Sequence, residues 1–155
     1  MDIKAADVKA LRERTGAGMM ECKKALMECN GNPDEAEKYL KEKGLADVAK
    51  RAERATTEGR LFVRQDGNKI VVIELTCETD FVSNGADFVA LGEKLLDVTI
   101  EKGLTAVEQV HKDLLTEFTI KTRENMSVNS VNVYEIPENG VGSTYVHSDH
   151  KTGAV

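Results

Sequence analysis

Two cysteines in the N-terminal part of the sequence are the first candidates for chemistry. Cys22 and Cys29 stand seven positions apart, and a helix would separate them by about two turns, too far for a disulfide or one tetrahedral metal. At about 100° per residue, the same helix places Met19, Cys22, Leu26 and Cys29 on one side. The spacing therefore predicts a buried stripe, in which free cysteines pack as small apolar groups.

Two methionines fall on the opposite side of that helix. Met20 and Met27 lie next to Lys24 in this projection, and Lys23 also flanks them. Single exposed methionines are ordinary on protein surfaces, whereas two adaptable apolar side chains beside lysines also suit a surface that docks a partner. Both interpretations stay open, and Arg12 on the preceding helix would extend such a surface.

The histidines near the end of the sequence do not have metal-ligand spacing. Residues 147–150 read His-Ser-Asp-His, but the two histidines would not share a face at the end of a strand. The neighbouring sequence offers no second pair of ligands, so we expect no metal site there.

Sequence motifs of covalent catalysis and phosphate binding are missing. The chain has no G-x-S-x-G elbow and no glycine-rich phosphate loop. Gly16 and Gly18 stand between predicted helices, where glycine serves a turn. We therefore expect a protein that is not an enzyme and that uses no cofactor.

The segment Thr79-Asp80-Phe81-Val82 places an aromatic residue directly after an acid. It follows a strand-like run and is bounded by Ser83-Asn84-Gly85, which is typical of a loop. One interpretation is a helix cap followed by a phenylalanine of the core. A phenylalanine beside a charge on a turn is unusual in a chain with only four phenylalanines, but the pattern alone assigns it no other role.

The composition limits the class of protein. The 155 residues suit one domain or two small ones, and 41% hydrophobic with 31% charged residues is ordinary for a folded protein. A net charge of −6 argues against nucleic acid or an anionic membrane as partner. The sequence shows no secretory or transit signal and no membrane-spanning run. Its three cysteines fit reduced thiols, so we expect a cytoplasmic location.

Residues 1–55 predict a helical N-terminal domain with a connecting helix. Gly16 is expected to end the first helix, and Asn32 to cap the third. Gly44 is expected to end this third helix, and the residues beyond it to form a connector. Such a small bundle is marginal alone, which suggests that it works beside something larger.

Residues 56–147 predict a second domain that contains strands. Two runs of strand-forming residues meet at Asp66-Gly67-Asn68, a strong hairpin turn. Residues 128–136 alternate between apolar and polar, and the run 141–147 predicts a final strand.

Two helices are predicted between these strands. The first spans 86–102, and the second runs to about Lys121, with Thr105 and Glu108 as a capping box. The fold class is therefore α+β: a three-helix bundle followed by a small antiparallel sheet with a helical hairpin.

Two stretches together resemble the signatures of the bacterial translation elongation factor Ts family. Residues 11–26 read LRERTGAGMMECKKAL, and residues 77–82 read CETDFV at the expected distance downstream. The resemblance covers essentially the whole chain.

The resemblance implies a guanine-nucleotide exchange factor that binds elongation factor Tu in its GDP-bound and nucleotide-free states. The helical domain would resemble ubiquitin-associated domains and dock on the GTP-binding domain of Tu. Arg12, Met19, Met20 and His147 match family contact positions, although the helical projection turns Met19 inward. Thr79, Asp80, Phe81 and Val82 match the family's magnesium-dislocating region, with Phe81 as the wedge.

The sequence also departs from the family's usual pattern. Residues 122–126 read TRENM where the family often reads Ile-Gly-Glu-Asn-Ile, and residues 148–155 follow the family only loosely. The family continues beyond Val155, so 148–155 would begin a second core subdomain that is absent here. The alternative function is an interaction module that docks on Tu or another partner without releasing nucleotide. The sequence leaves open whether the chain forms a homodimer.

Overall fold

The computed structural model describes residues 3–155, so Met1 and Asp2 of the predicted helical domain lie outside the described residues. The chain divides into two compact units, one ending at Arg51 and the other comprising Ala52–Val155. Helices and an antiparallel sheet occur in one chain, which confirms the α+β class.

The first unit consists of three helices: α1 (Ala5–Thr15), α2 (Met19–Glu28) and α3 (Pro33–Arg51). Gly16 ends α1 in the left-handed conformation, at φ +68°. Asn32 begins α3, because its side-chain oxygen accepts hydrogen bonds from the backbone N–H groups of Asp34 and Glu35 at 3.1 and 3.3 Å. Both predicted helix boundaries are confirmed.

Gly44 does not end the third helix, so that prediction is wrong. Helix α3 continues through Gly44 to Arg51 and includes most of the predicted connector. A glycine inside a helix costs only about 1 kcal/mol relative to alanine. The residues that follow it, Leu45 and Ala46, are strong helix formers, and they are enough to carry the helix on.

The core of the first unit is small. Cys22 and Leu26 are fully buried and Cys29 is half-buried, as the predicted stripe requires. All three cysteines of the chain are free thiols. The other buried apolar side chains of this core are Val8, Leu11, Ala25, Ala36 and Leu40.

The second unit is built on a three-stranded antiparallel sheet in the order β1-β2-β3. Its strands are β1 (Glu58–Asp66), β2 (Lys69–Cys77) and β3 (Met126–Glu135). The predicted hairpin is confirmed: Asp66 pairs with Lys69 across the turn, and Gly67 takes a φ of +56° there.

Helices connect the central strand to β3 and cover one face of the sheet. They are the one-turn α4 (Asp80–Ser83), then α5 (Ala86–Lys102) and α6 (Leu104–Thr122). Alternate residues of β2 point into the core beneath them, and the ring of Phe62 packs directly on Gly92 of α5. The predicted capping box is wrong, because α6 begins after Gly103 and has no side-chain cap. The sharp turn at Gly103 directs the chain straight into the helix.

The chain after β3 crosses to the other side of the sheet. Ile136 and Gly142 pack near Ile70 there. The final strand is much shorter than predicted: β4 contains only Tyr145–Val146 and pairs with β5, Gly153–Ala154. Short pairing is expected for residues that are mostly exposed, since they have little apolar area to bury. No helix within residues 3–155 is long and apolar enough to cross a membrane.

A buried histidine lies between α5 and α6. The His111 Nε2 atom is 3.1 Å from the Thr99 hydroxyl oxygen and 3.3 Å from the Leu95 carbonyl oxygen. The Thr99 hydroxyl donates its own proton to Leu95 at 2.8 Å, so Nε2 is the donor toward Thr99. Burial lowers the pKa of His111, and the bond to Leu95 only partly opposes that shift.

We expect this histidine to make folding sensitive to acid. A lowered folded-state pKa means that the contribution of His111 is fully present above about pH 6.5, the unfolded value, and is lost as the pH falls through the lower folded value. The urea midpoint of the unmodified chain should therefore drop more between about pH 7.5 and about pH 5.5 than that of His111→Leu. Parallel pH dependence in the two proteins would contradict the assignment.

Candidate functional site

The one-turn helix α4 presents two side chains outward and two inward. Asp80 and Phe81 are exposed, and the Phe81 side chain is 88% accessible. Val82 packs against the core of the second unit, and Ser83 is buried. The interpretation of Phe81 as a core residue is therefore wrong, because Val82 and Ser83 take the inward positions of the turn.

Thr79 precedes this turn and forms hydrogen bonds both with the turn itself and with Glu124. Its hydroxyl oxygen accepts a hydrogen bond from the Val82 backbone N–H at 3.4 Å, as a helix cap does. The same hydroxyl donates to Glu124 Oε1 at 2.6 Å, and the Thr79 backbone N–H donates to Glu124 Oε2 at 3.0 Å. One carboxylate thus accepts two hydrogen bonds from one residue of the turn.

Cys77, the last residue of β2, supports the turn from beneath. Its thiol donates to the Thr79 carbonyl oxygen at 3.2 Å. Burial, together with the negative charge of the nearby Glu124 carboxylate, raises the pKa of the Cys77 thiol to about 11. The thiol therefore stays protonated near neutral pH, and it acts here as a donor and not as a nucleophile.

The segment before the turn is fixed by the residue after Glu124. The Asn125 backbone N–H donates to Glu78 Oε1 at 2.6 Å, and Arg54 contacts the same oxygen at 3.4 Å. The Asn125 side-chain amide donates to the carbonyl oxygens of Arg54 and Ala52, at 2.7 and 3.2 Å. Glu78 and the start of the second unit are therefore tied to the same short segment.

The first residues of β1 contact both α4 and the C-terminal hairpin, which consists of β4, β5 and the residues between them. Arg60 donates to the Asn84 side chain at the end of α4, at 2.8 Å. On the hairpin side, Lys151 forms an ion pair with Glu58 at 2.6 Å, and the Leu61 N–H donates to the His150 carbonyl at 2.7 Å.

One electrostatic effect also connects the hairpin with α4. The pKa of Lys151 is raised mainly by Glu58, and the negative charge of Asp80 adds to the shift. The hairpin and the exposed face of α4 therefore lie within electrostatic range of each other.

His147 lies on this hairpin and is exposed. Its Nδ1 atom is 3.0 Å from the Tyr145 hydroxyl oxygen, a hydrogen-bond distance, and the two ring planes are tilted by 34° with their centres 6.3 Å apart. The His147 backbone N–H donates to Thr152 across the hairpin at 2.8 Å. The ring is thus oriented by its own hairpin and stays open to a partner on its outer side.

The remaining predicted contact residues lie in the first unit. Arg12 is exposed, and the Met20 side chain is 65% accessible, as the helical projection predicts. Met19 is 44% accessible, so its predicted inward position is wrong. It is the first residue of α2, where no preceding turn covers it. Met27 is exposed as well, which gives α2 an apolar outer face.

The sequence analysis assigned Glu124 and Asn125 no part in the site and noted residues 122–126 only as a departure from the family's usual pattern. Glu124 is 45 positions from Thr79, and no spacing rule connects them. The signal that could have found them is the Glu-Asn pair that this stretch shares with the family's Ile-Gly-Glu-Asn-Ile, because a carboxylate after a helix is by itself a weak signal among 27 acidic residues.

Comparison with known proteins extends the two signature stretches to the chain as a whole. Residues 78–155, half of the chain, match the family model described as elongation factor TS. The elongation factor Ts of Treponema denticola is 50% identical over 155 residues, which cover all of this chain and 55% of that protein. The protein of the same name from Treponema pallidum is 44% identical, covering all of this chain and 57% of that protein.

A more distant bacterium gives the same result. The elongation factor Ts of Clostridium acetobutylicum is 40% identical over 99% of this chain and 54% of its own length. The chain therefore spans about half the length of the relatives that it matches. On the family match and these identities, the chain belongs to the elongation factor Ts family.

Proposed function

We propose that this chain acts in translation elongation by promoting the release of GDP from elongation factor Tu. It would dock on the GDP-bound protein, dislodge the magnesium ion there and leave Tu free of nucleotide. The observation that carries the proposal is Phe81, which is 88% accessible although Thr79 before it and Asn84 after it are hydrogen-bonded to other parts of the same unit. Membership of the elongation factor Ts family supports the choice of elongation factor Tu as the partner.

The proposed step is mechanical. A magnesium ion on GDP phosphates is the largest local charge in such a site, and its ligands tolerate little distortion. An aromatic ring driven between two helices of Tu would shift a packed interior that has discrete arrangements. Asp80, exposed beside Phe81, would disturb the network that holds the ion. Without the ion the phosphates lose attraction, and GDP leaves faster.

The binding of GDP to Tu and the binding of this chain to Tu are thermodynamically linked in this proposal. If the chain weakens GDP binding by some factor, GDP must weaken binding of the chain by the same factor. The chain would change the rate of exchange and leave the final nucleotide equilibrium as it was. Because no covalent bond forms or breaks, the proposed function is that of an exchange factor and not of an enzyme.

Docking is assigned to a different set of residues. In the first unit these are Arg12, Met19 and Met20, which the structure leaves exposed on α1 and α2. We propose that this bundle acts like a ubiquitin-associated domain and binds the GTP-binding domain of Tu. His147 on the C-terminal hairpin would add a contact from the second unit.

The second candidate function is docking without nucleotide release. The specific observation in its favour is that the helical unit has a core of its own, with Leu11 and Leu26 almost completely buried. A unit of this kind can bind a partner whether or not the rest of the chain acts on nucleotide. The two candidates differ in what the Phe81 ring does.

Replacing Phe81 by alanine should strongly slow nucleotide exchange while leaving the fold intact. The ring is exposed, so its loss removes little packing from the chain itself. We expect the maximal rate of release of a fluorescent GDP analogue from Tu, followed by stopped flow, to fall about tenfold or more.

Tyr134→Ala is the matched control, because Tyr134 is another exposed aromatic residue of the same unit. With this variant, GDP should leave Tu at the same rate as with the unmodified chain. If the unmodified chain binds Tu without accelerating release, the docking module is the correct function. If the unmodified chain accelerates GDP release and the Phe81→Ala variant accelerates it equally, Phe81 does not act as the wedge.

Met20→Asp should weaken docking without changing the maximal rate. Burial of one methionine at an interface contributes about 1.5–3 kcal/mol, so its replacement by a charge should raise the half-saturating concentration about tenfold or more. Leu45→Asp, a change at an exposed apolar residue near the end of the same unit, is the control. Loss of helical circular dichroism in Met20→Asp would show that this side chain supports the fold, against the assignment.

A further inference from the structure

The turn that carries Phe81 is hydrogen-bonded, through Thr79, to a residue from a distant part of the sequence. Glu124 follows α6 directly, and its two carboxylate oxygens accept the backbone N–H and the hydroxyl of Thr79 at 3.0 and 2.6 Å. Thr79, Glu124 and the bonds between them are only partly accessible to solvent. Hydrogen bonds to an ionised acceptor are stronger than neutral ones, and partial burial strengthens them further.

The bond to Glu124 also settles how the Thr79 hydroxyl is used. A hydroxyl has one proton, and this one is donated to Glu124 Oε1. Its lone pair is then free to accept the Val82 N–H, which lies 3.4 Å away. Glu124 therefore orients the cap of α4 as well as the residue that makes it.

The end of α6 is shaped to bring Glu124 to this position. Arg123 ends the helix in the left-handed conformation, with φ +63°, and its N–H donates to Thr119 at 2.8 Å. This conformation is uncommon for a residue other than glycine. It reverses the chain, so that Glu124 meets Thr79 and Asn125 meets Glu78.

Side-chain packing cannot give Phe81 its direction. The ring is 88% accessible, so its position depends on the backbone of residues 79–83. That backbone is bonded inward through the Cys77 thiol and outward through Glu124. Of these two supports, only Glu124 bonds the Thr79 side chain that caps the turn.

We propose that Glu124 is a positioning residue for nucleotide release, which holds the Thr79–Val82 turn in the conformation that presents Phe81 and Asp80. This inference rests on the proposed function. Glu124 acts through Thr79 and is itself not required to touch the partner. Asn125 assists by fixing Glu78, the residue before the turn, at 2.6 Å.

The first test measures the turn in the chain alone, without any partner. Glu124→Ala removes both acceptors, so the Val82 and Ser83 amides should exchange with deuterium about tenfold faster or more. The amides in the middle of β2 should be unaffected. Glu117→Ala is the control, since it removes an exposed glutamate from α6 and leaves Thr79 untouched. Unchanged exchange at Val82 and Ser83 in Glu124→Ala would overturn the inference.

The second test measures release of a fluorescent GDP analogue from elongation factor Tu. Glu124→Ala should lower the maximal rate about tenfold, while the half-saturating concentration changes by less than about twofold. A merely structural defect would lower the amount of folded protein and appear in the circular dichroism. Glu117→Ala should match the unmodified chain in both parameters.

Glu124→Gln supplies a graded check. Its amide oxygen can still accept one Thr79 proton, but its NH₂ group faces the other donor. We therefore expect both the amide exchange and the maximal rate of Glu124→Gln to lie between those of the unmodified chain and Glu124→Ala. A glutamine variant as impaired as alanine in both measurements would contradict the two-bond assignment.

The two proposals fail in different ways. If Phe81→Ala slows release and Glu124→Ala does not, the positioning role is wrong and the proposed function stands. If the unmodified chain does not accelerate release at all, the proposed function fails. Amide exchange in the chain alone then still decides whether Glu124 holds the turn.

Discussion

Two hydrogen bonds from Thr79 to the Glu124 carboxylate fix the backbone on which the exposed Phe81 ring stands. An aromatic ring that is open to water gains nothing from core packing, so its direction is defined only by the chain beneath it. Here that chain is one helical turn, which is too short to be stable by itself. Its order must therefore come from contacts with the rest of the unit: Val82 packs against the core, and the Glu124 carboxylate accepts two hydrogen bonds.

The sheet provides the rigid frame for these bonds. Strand β2 is central, pairs on both sides and delivers Cys77 to the underside of the turn. Strand β1 attaches the other end of α4 through Arg60 and the hairpin of His147 through Glu58. Sites supported by rigid elements hold their geometry better than sites on free loops. Such a frame would support the push on elongation factor Tu that we propose.

Much of the fold could be predicted from the sequence because its signals are local. Asn32, Gly16 and the turn at Gly67 determine nearby backbone, and the structure confirms them. The prediction of a helix end at Gly44 was wrong because the small free-energy cost of glycine in a helix is outweighed by the helix formers around it. For the site, the pattern singled out the segment around Phe81 but could not tell an exposed ring from a core one. The hydrogen bonds from Thr79 to Glu124 could not be predicted, since they depend on how α6 ends and where the fold brings that end.

Backbone relaxation of the Phe81 amide in the free chain, measured by nuclear magnetic resonance, tests this account most directly. If the turn is held as described, the order parameter of that amide should be about 0.85, the value of rigid backbone such as the middle of β2. A value below about 0.6 would mean that the ring moves freely on a flexible loop. The turn would then have no fixed direction for Glu124 to maintain.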